Sequence, residues 1–482
     1  MKKILSKQDS NLITLIEILF KKGKSTFFQL QDRLSINPRT LTSLIQYGNS
    51  IFSPIRIDKN SAGIISLDIP SRYSLAYCYK KILENSIEFN ILETLFFEQI
   101  TYNDLSDKMY VSRSTLRRKI LKINKTFVNL DIQINLKNLQ IEGNEVSICN
   151  FYIYFFVEKY TDATMIFNEN KVKFVDQILS NITEKRNIIL DFPDIYRLKI
   201  WLLVILHRAG YVSKKISSID SIENNYQFLS SFNELDLNRE LNFRIKNNPF
   251  LEFIEKFFMN GILHTHDDLE EANKSFLFRQ KKEKFEQILQ DISREFKIKT
   301  SGFYEKLVVD LCNVSNLQFG APYILFDKYS YFVENVSKVN KKFMKFIIES
   351  IYSRFPHISE YELNTYIYIM VTHWPNLLTS LQKSSTKLPV SIIVDTDIEH
   401  AYMIQNIIQT KYPDRFSIDI LTDFKALSEL PYRTIEDTVI TTINDLMISN
   451  KKIFCVSIFP THEELERIYD YYESTFEKVY SQ

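Results

Sequence analysis

Residues 105–125 read LSDKMYVSRSTLRRKILKINK, and their pattern decides what the front of this chain becomes. A short helix, a tight turn and a second helix fit these residues, the layout of a helix-turn-helix reader of DNA. Ser112 is suited to cap the second helix, because its hydroxyl can accept an otherwise orphaned first-turn amide. Val111 and Leu116 flank that cap as a hydrophobic staple. Leu116, Ile120, Ile123 and Phe127 recur at spacings of four, three and four, which is one helical face. Arg113, Arg117, Arg118 and Lys122 lie opposite. The expectation is a helix docked by its apolar stripe, with a basic face left for phosphates and base edges.

The plan occurs twice. Leu30, Leu34, Ile36, Asn37, Thr40, Leu41 and Ile45 stand 75 residues before Leu105, Met109, Val111, Ser112, Thr115, Leu116 and Ile120. Asn37 repeats the cap, and Pro38 follows at the first helical position, where a missing N–H costs nothing. Each copy is trailed by alternating apolar and polar residues, PIRIDKNSAGIISLDIP and NLDIQINLKNLQIEGNE, which read as β-hairpin wings. The expected DNA contacts are Ser112, Arg113, Ser114 and Arg117 at the groove, with Arg118, Lys119 and Lys122 nearer the backbone. Arg39 and Thr42 take these roles in the first copy, and Lys59 and Lys137 are the wing candidates.

Charge supports this direction. The whole chain of 482 residues carries a net charge of only +1. Residues 1–145, however, hold 21 Lys and Arg against 14 Asp and Glu, or +7, whereas residues 387–482 hold 9 against 16, or −7. A basic front and an acidic tail suit a nucleic-acid-binding end and a non-binding end. Four cysteines, widely spaced and without CxxC, suit a reducing cytosol and frame neither a metal site nor disulfides. The opening basic and apolar residues are interrupted by Asp9, Asn11, Thr14 and Glu17, so an amphipathic helix is expected rather than a leader. No run of 18 apolar residues exists to cross a membrane.

From 147 to 384 aromatic-rich helical patterns follow one another, NPFLEFIEKFFMNGI at 248–262 among them, with polar loops or short helices at 213–224 and 232–248, and these read as two helical bundles. From Leu388 strands alternate with helices: LPVSIIVD, HAYMIQNIIQTKY, FSIDIL, DTVITT, KIFCVSI and a closing helix capped by Thr461. That order gives a small, mostly parallel α/β domain.

The whole order, and VSRSTLRRKI with LQIEGNE in particular, resembles the Mga-like family of global transcriptional regulators in Gram-positive cocci. The resemblance implies a multidomain, mainly α chain. Its expected parts are an N-terminal winged helix-turn-helix at 1–72, a second at 73–146, PTS-regulation-like bundles at 147–276 and 277–385, and a IIB-like α/β domain at 386–482. It also implies a cytoplasmic, oligomerising activator, a dimer, that binds double-stranded DNA and answers to phosphocarrier proteins of the sugar phosphotransferase system. In the first bundle the acceptor candidate is His207; aligning Arg208 with the family's arginine puts Trp201 at the usual acceptor position. In the second, that position falls on Ile369, with His373 one turn later and His357 a further candidate. A working IIB domain carries cysteine or histidine after its first strand, where this chain has Asp395-Thr396-Asp397. Cys455 reads as a small buried residue of a later strand, so the tail reads as an interaction module. A phosphotransferase-linked regulator that binds RNA or protein, as antiterminators do, is the alternative; the helical readers before residue 130 argue against it.

Other chemistry has little support. His264-Thr265-His266-Asp267-Asp268 lacks a second ligand cluster, and Asp395 with Asp397 lacks the lysine and hydroxyl that complete a magnesium-dependent receiver. GxSxG, HExxH and P-loop patterns are absent, so no enzyme, cofactor or metal is expected.

Overall fold

The computed structural model describes residues 1–186, 192–212, 269–270, 272–299, 304–314, 322–383, 387–421, 437–448 and 451–479. The polar stretches at 213–224 and 232–248, the helix expected near 248–262 and the His264–Asp268 group lie outside the described residues. The fold is mainly helical and multidomain, with a small parallel sheet near the C-terminus.

The first copy begins with α1 (Lys7–Lys22), capped by Ser6, whose hydroxyl accepts the Asp9 N–H. Strand β1 (Lys24–Thr26) leads into α2 (Phe27–Leu34) and α3 (Pro38–Phe52). The wing is the antiparallel pair β2 (Arg56–Lys59) and β3 (Ile64–Asp68), and β1 adds to β3 to give the order β1-β3-β2. The wing turns where the sequence indicates: Gly63 donates to the Asn60 carbonyl at 3.0 Å with φ of 75°, and Asn60 Oδ1 accepts the Ile64 N–H.

A connector, α4 (Leu75–Asn85), precedes the second copy: α5 (Ile87–Phe97), α6 (Tyr102–Lys108), α7 (Arg113–Phe127) and the wing strands β4 (Ile132–Ile134) and β5 (Ile141–Gly143). Helices α8 (Glu145–Lys159), α9 (Glu169–Arg186) and α10 (Phe192–Val212) follow. No seam separates the second wing from α8. Phe96 of α5 packs on Tyr152 and Phe156 of α8, with ring centroids at 4.3 and 5.2 Å, and the Tyr152 hydroxyl donates to the Leu92 carbonyl. Both copies and α8–α10 share one apolar core. Accordingly one compact unit comprises Met1–Ala272 with Asn313–Lys328, and the other Asn273–Cys312 with Tyr329–Gln482.

In the second unit lie α11 (Phe276–Phe296), α12 (Tyr304–Asn313), α13 (Lys328–Val339), α14 (Lys341–Arg354), α15 (Glu360–His373) and α16 (Leu377–Lys383). A full capping box opens α15, with Ser359 accepting the Glu362 N–H and the Glu362 carboxylate accepting the Ser359 N–H. The tail sheet consists of β6 (Leu388–Ile393), β7 (Phe416–Ile420), β8 (Asp437–Thr441) and β9 (Lys451–Cys455), all parallel in the order β7-β6-β8-β9. Helices α17 (Ile398–Lys411) and α18 (His462–Val479) accompany it; Thr461 caps α18 as the sequence indicates. One reading needs correction. Cys455 ends β9 and is exposed, not buried: it is the last residue of an edge strand, and solvent reaches it although its partner Thr441 on β8 is buried.

Candidate nucleic-acid interface

The 75-residue repeat extends well beyond the apolar stripe. Thr26 caps α2 and Thr101 caps α6, each accepting the N–H three residues on. Ser35 and Tyr110 occupy the same left-handed turn position, with φ of 52° and 53°. Asn37 accepts the Thr40 N–H at 2.8 Å, and Ser112 accepts the Thr115 N–H at 3.2 Å. Each such cap is worth about 1 kcal/mol. Near the other end of the recognition helices, Asn49 and Asn124 perform one task. The Asn49 side chain accepts the Ile57 N–H at 2.7 Å and donates to the Ile57 carbonyl at 3.0 Å; Asn124 does the same to Ile134 at 2.7 and 2.8 Å. Thus each recognition helix pins the first strand of its own wing. Neither asparagine belongs to the apolar stripe or the basic face, although the 75-residue offset from Asn49 to Asn124 is written in the sequence.

Leu116, Ile120, Ile123 and Phe127 are fully buried, and so is Leu41 in the first copy. Burying one such side chain stabilises by about 1.5–3 kcal/mol, enough to fix which face of α7 points outward. Arg113, Ser114, Arg117 and Arg118 lie on that outward face and are exposed. Among the described residues none of the three arginines has an ion-pair partner; Arg118 donates to the Thr115 hydroxyl at 3.1 Å. Ser112 is occupied as the cap.

Lys119 and Lys122 are placed differently from their neighbours. The Lys119 ammonium lies 2.8 Å from the Glu88 carboxylate on α5, where Glu88 is almost wholly buried. The Lys122 ammonium donates to the Leu5 carbonyl at the start of the chain. Lys119 is thus paired with a buried carboxylate, whereas Lys122 stays exposed while its ammonium ties to the first residues of the chain. In the first copy Arg39 is exposed, whereas the Thr42 hydroxyl donates back to the Pro38 carbonyl at 3.0 Å. Of the wing candidates, the Lys59 ammonium sits 4.6 Å from the Phe27 ring centroid, and Lys137 is exposed at the second wing's tip.

The histidines separate by environment. His207 Nε2 lies 2.9 Å from the Phe96 carbonyl, and the ring stacks on Phe96 at 4.6 Å. Burial holds its pKa down at about 4, so the ring is neutral and enclosed. Arg208 beside it bonds Glu145 at 2.5 Å and the Ile141 carbonyl at 3.3 Å. Trp201 is buried, and Ile369 is half-buried on α15. His373, 43% exposed, has Nδ1 at 2.7 Å from Asp310 on α12. His357 is exposed in the turn before α15. In the tail, Asp395 is bonded to Thr442 through both backbone and side chain, and Asp397 caps α17. Among the described residues no group of three or more His, Cys, Asp or Glu could hold a metal ion, and no helix is long and apolar enough to cross a membrane.

Residues 72–156, from the connector through the second copy into α8, match the Mga helix-turn-helix domain. Across its whole length the chain is 22% identical to a protein of Streptococcus pneumoniae serotype 4 described as a trans-acting regulator, covering 98% of that protein. It is 24% identical over 207 residues to the capsule synthesis positive regulator AcpA of Bacillus anthracis, covering 42% of this chain and 43% of that one. A third relative, the capsule synthesis positive regulator AcpB of the same organism, is 23% identical over 133 residues, or 28% of its length.

Proposed function

From a chain whose likeness to the Mga-like regulators of Gram-positive bacteria is borne out by that domain match, we propose a transcriptional regulator, an activator, that grips promoter duplex DNA. The reading rests chiefly on α7: a capped helix whose apolar stripe is fully buried and whose Arg113, Arg117 and Arg118 stand exposed without ion-pair partners among the described residues. Arg113, Ser114 and Arg117, in its first two turns, reach base edges in the major groove, and Arg118 neutralises a phosphate. Arg39 on α3 and Lys59 and Lys137 on the wings add backbone contacts. Lys119, paired with the buried Glu88, and Lys122, tied to the Leu5 carbonyl, serve the fold. The protein acts on DNA in the cytoplasm as a homodimer and is not an enzyme.

Arg117→Ala/Arg118→Ala tests this reading. Measured by gel shift on promoter fragments, the double variant binds at least tenfold more weakly, and the slope of log K against log salt flattens by about one to two charges. An unchanged affinity and slope would remove α7 as the principal reader.

A regulatory input through phosphoryl transfer has its best acceptor at His373. Asp310 holds its Nδ1 on a side chain that is 43% exposed, whereas His207 is neutral but enclosed. A phosphohistidine on a phosphocarrier protein would donate to Nε2, and the product carries added negative charge beside Asp310. Incubating the chain with a phosphorylated carrier should give an acid-labile phosphate that His373→Ala abolishes and His207→Ala retains.

A further inference from the structure

The two readers do not hang as separate modules. Tyr47 on α3 and Lys122 on α7 stand at the same position of the repeat, and each bonds to the first residues of the chain. The Tyr47 hydroxyl donates to Asp9 at 2.9 Å, and Lys122 donates to the Leu5 carbonyl. Asp9 also accepts from the Ser6 hydroxyl at 2.7 Å, so one short segment, 5–9, receives bonds from the recognition helices of both copies. Around it the second copy presents Glu88, 2% exposed, with Lys119 as its ion partner. Burial raises the pKa of Asp9, Glu88 adding to the rise and Lys119 opposing it, so these charges are mutual neighbours. Ile4 and Leu5, both essentially fully buried, belong to the same apolar cluster as Leu116 and Ile120. The connector completes the join: Tyr77 donates to the Ser53 carbonyl at 3.0 Å, and Tyr79 to Glu17 at 2.5 Å.

We propose that this junction fuses the two readers into one rigid reading head, so that the protein recognises a single composite duplex site in which the two subsites have one permitted spacing. The inference rests on the duplex-DNA reading above and deepens it. On the recognition helix Lys119 is paired with the buried Glu88, and Lys122, though exposed, carries the direct cross-tie through its ammonium. A flexible pair of readers would gain nothing from that. With the offset of α3 and α7 set by the protein, an inserted base pair shifts one subsite by about 3.4 Å along the axis and turns it away from its reader. Inserting a full helical turn restores the face but moves the subsite about 34 Å, beyond what the junction allows.

The test uses the full chain and duplexes selected by it from a randomised pool, footprinted to locate both subsites. Insertions of 1, 5 and 10 base pairs between the subsites should each reduce affinity at least tenfold, with no recovery at 10. Lys122→Met keeps the stem and removes the ammonium. It should bind the parent duplex somewhat more weakly while its penalty for insertion shrinks severalfold, whereas a merely structural loss would lower affinity equally at every spacing. Tolerance of the insertions, recovery at 10 base pairs, or a footprint with one subsite overturns the rigid head. Arg117→Ala/Arg118→Ala on the same duplexes separates the two readings. If that variant loses binding while spacing is tolerated, only the rigid head fails; if no duplex is selected, or the variant binds like the parent, the DNA reading fails with it.

Discussion

Gly143 ends the second wing with φ of 133°, a backbone region that side chains rarely adopt. A Cβ there would lie 2.1 Å from the Asp131 carbonyl oxygen, and backbone of a paired strand cannot move aside without giving up its ladder. Gly143→Ala should therefore destabilise the chain by about 3 kcal/mol, at the upper end of overpacking costs. Urea unfolding checks it; a midpoint within error of the parent would mean that the wing can rearrange. The glycine is part of LQIEGNE, a segment carrying the family resemblance, and the close approach gives a steric reason for its presence. Other residues were harder to read. Lys119 and Lys122 belong to a basic run, and counting charges along a helix cannot tell a lysine that faces DNA from one that faces a buried carboxylate or a carbonyl. Glu88 and Leu5 lie 31 and 117 residues away in the chain, so only the fold brings the pairs together. The exposure of Cys455 is hidden for a related reason: an apolar run identifies a strand, but not that the strand sits at the sheet edge.

At the scale of elements the sequence was far more legible. Caps, staples and stripes are local, so a single chain of reasoning finds α2, α3, α6 and α7 and the hairpins that follow them. Their docking is not local. Helix α10, apolar almost all round, gives no sign of what it touches, yet it reaches both the support helix and the wing root of the second reader. His207 meets the last turn of α5 at Phe96; Arg208 binds Glu145 at the start of α8 and the Ile141 carbonyl on β5. Burial and neighbouring charge make Arg208 a committed partner, since Glu145 raises its pKa despite desolvation. Arg208→Lys keeps the charge but cannot span both acceptors with a planar fork. The expected outcome is a loss of about 1.5–3 kcal/mol, comparable to one charge-assisted hydrogen bond, and faster amide exchange across Ile132–Ile134 and Ile141–Gly143, with the α2–α3 copy unaffected. Unchanged protection of the second wing would show that α10 does not brace it. This bracing gives the helical region a physical route to the reader, since a shift of α10 pulls directly on the wing strand.

For the whole molecule, the departure from a sequential string of domains is the segment 313–328, which belongs with the first unit although its flanking residues belong with the second. In the sequence it falls within the expected 277–385 bundle, because no local pattern marks a strap. Its anchor is Glu158 on α8, whose carboxylate accepts the N–H groups of Ile324, Leu325 and Phe326 at 2.5, 2.9 and 3.3 Å. Ile324 and Leu325 are buried, and Phe326 lies 5.0 Å from the Tyr79 ring. Burial raises Glu158 to about 7, although the three amides pull the other way. A carboxyl whose folded pKa stands above its unfolded value of about 4.3 favours folding when protonated. That contribution is full below the unfolded pKa and is lost as pH rises through 7; the difference between about 7 and about 4.3 corresponds to roughly 3.5 kcal/mol. Raising pH from 6 to 8 should thus loosen the strap, seen as faster exchange of the 324–326 amides after correction for intrinsic rates. Glu158→Gln removes the titration, and it also turns an amide NH2 toward backbone donors that then lack an acceptor. It should exchange faster than the parent at pH 6 and show no further change by pH 8. A parent whose strap is equally protected at both values would mean that the three amides, rather than burial, govern Glu158, and that it stays ionised throughout.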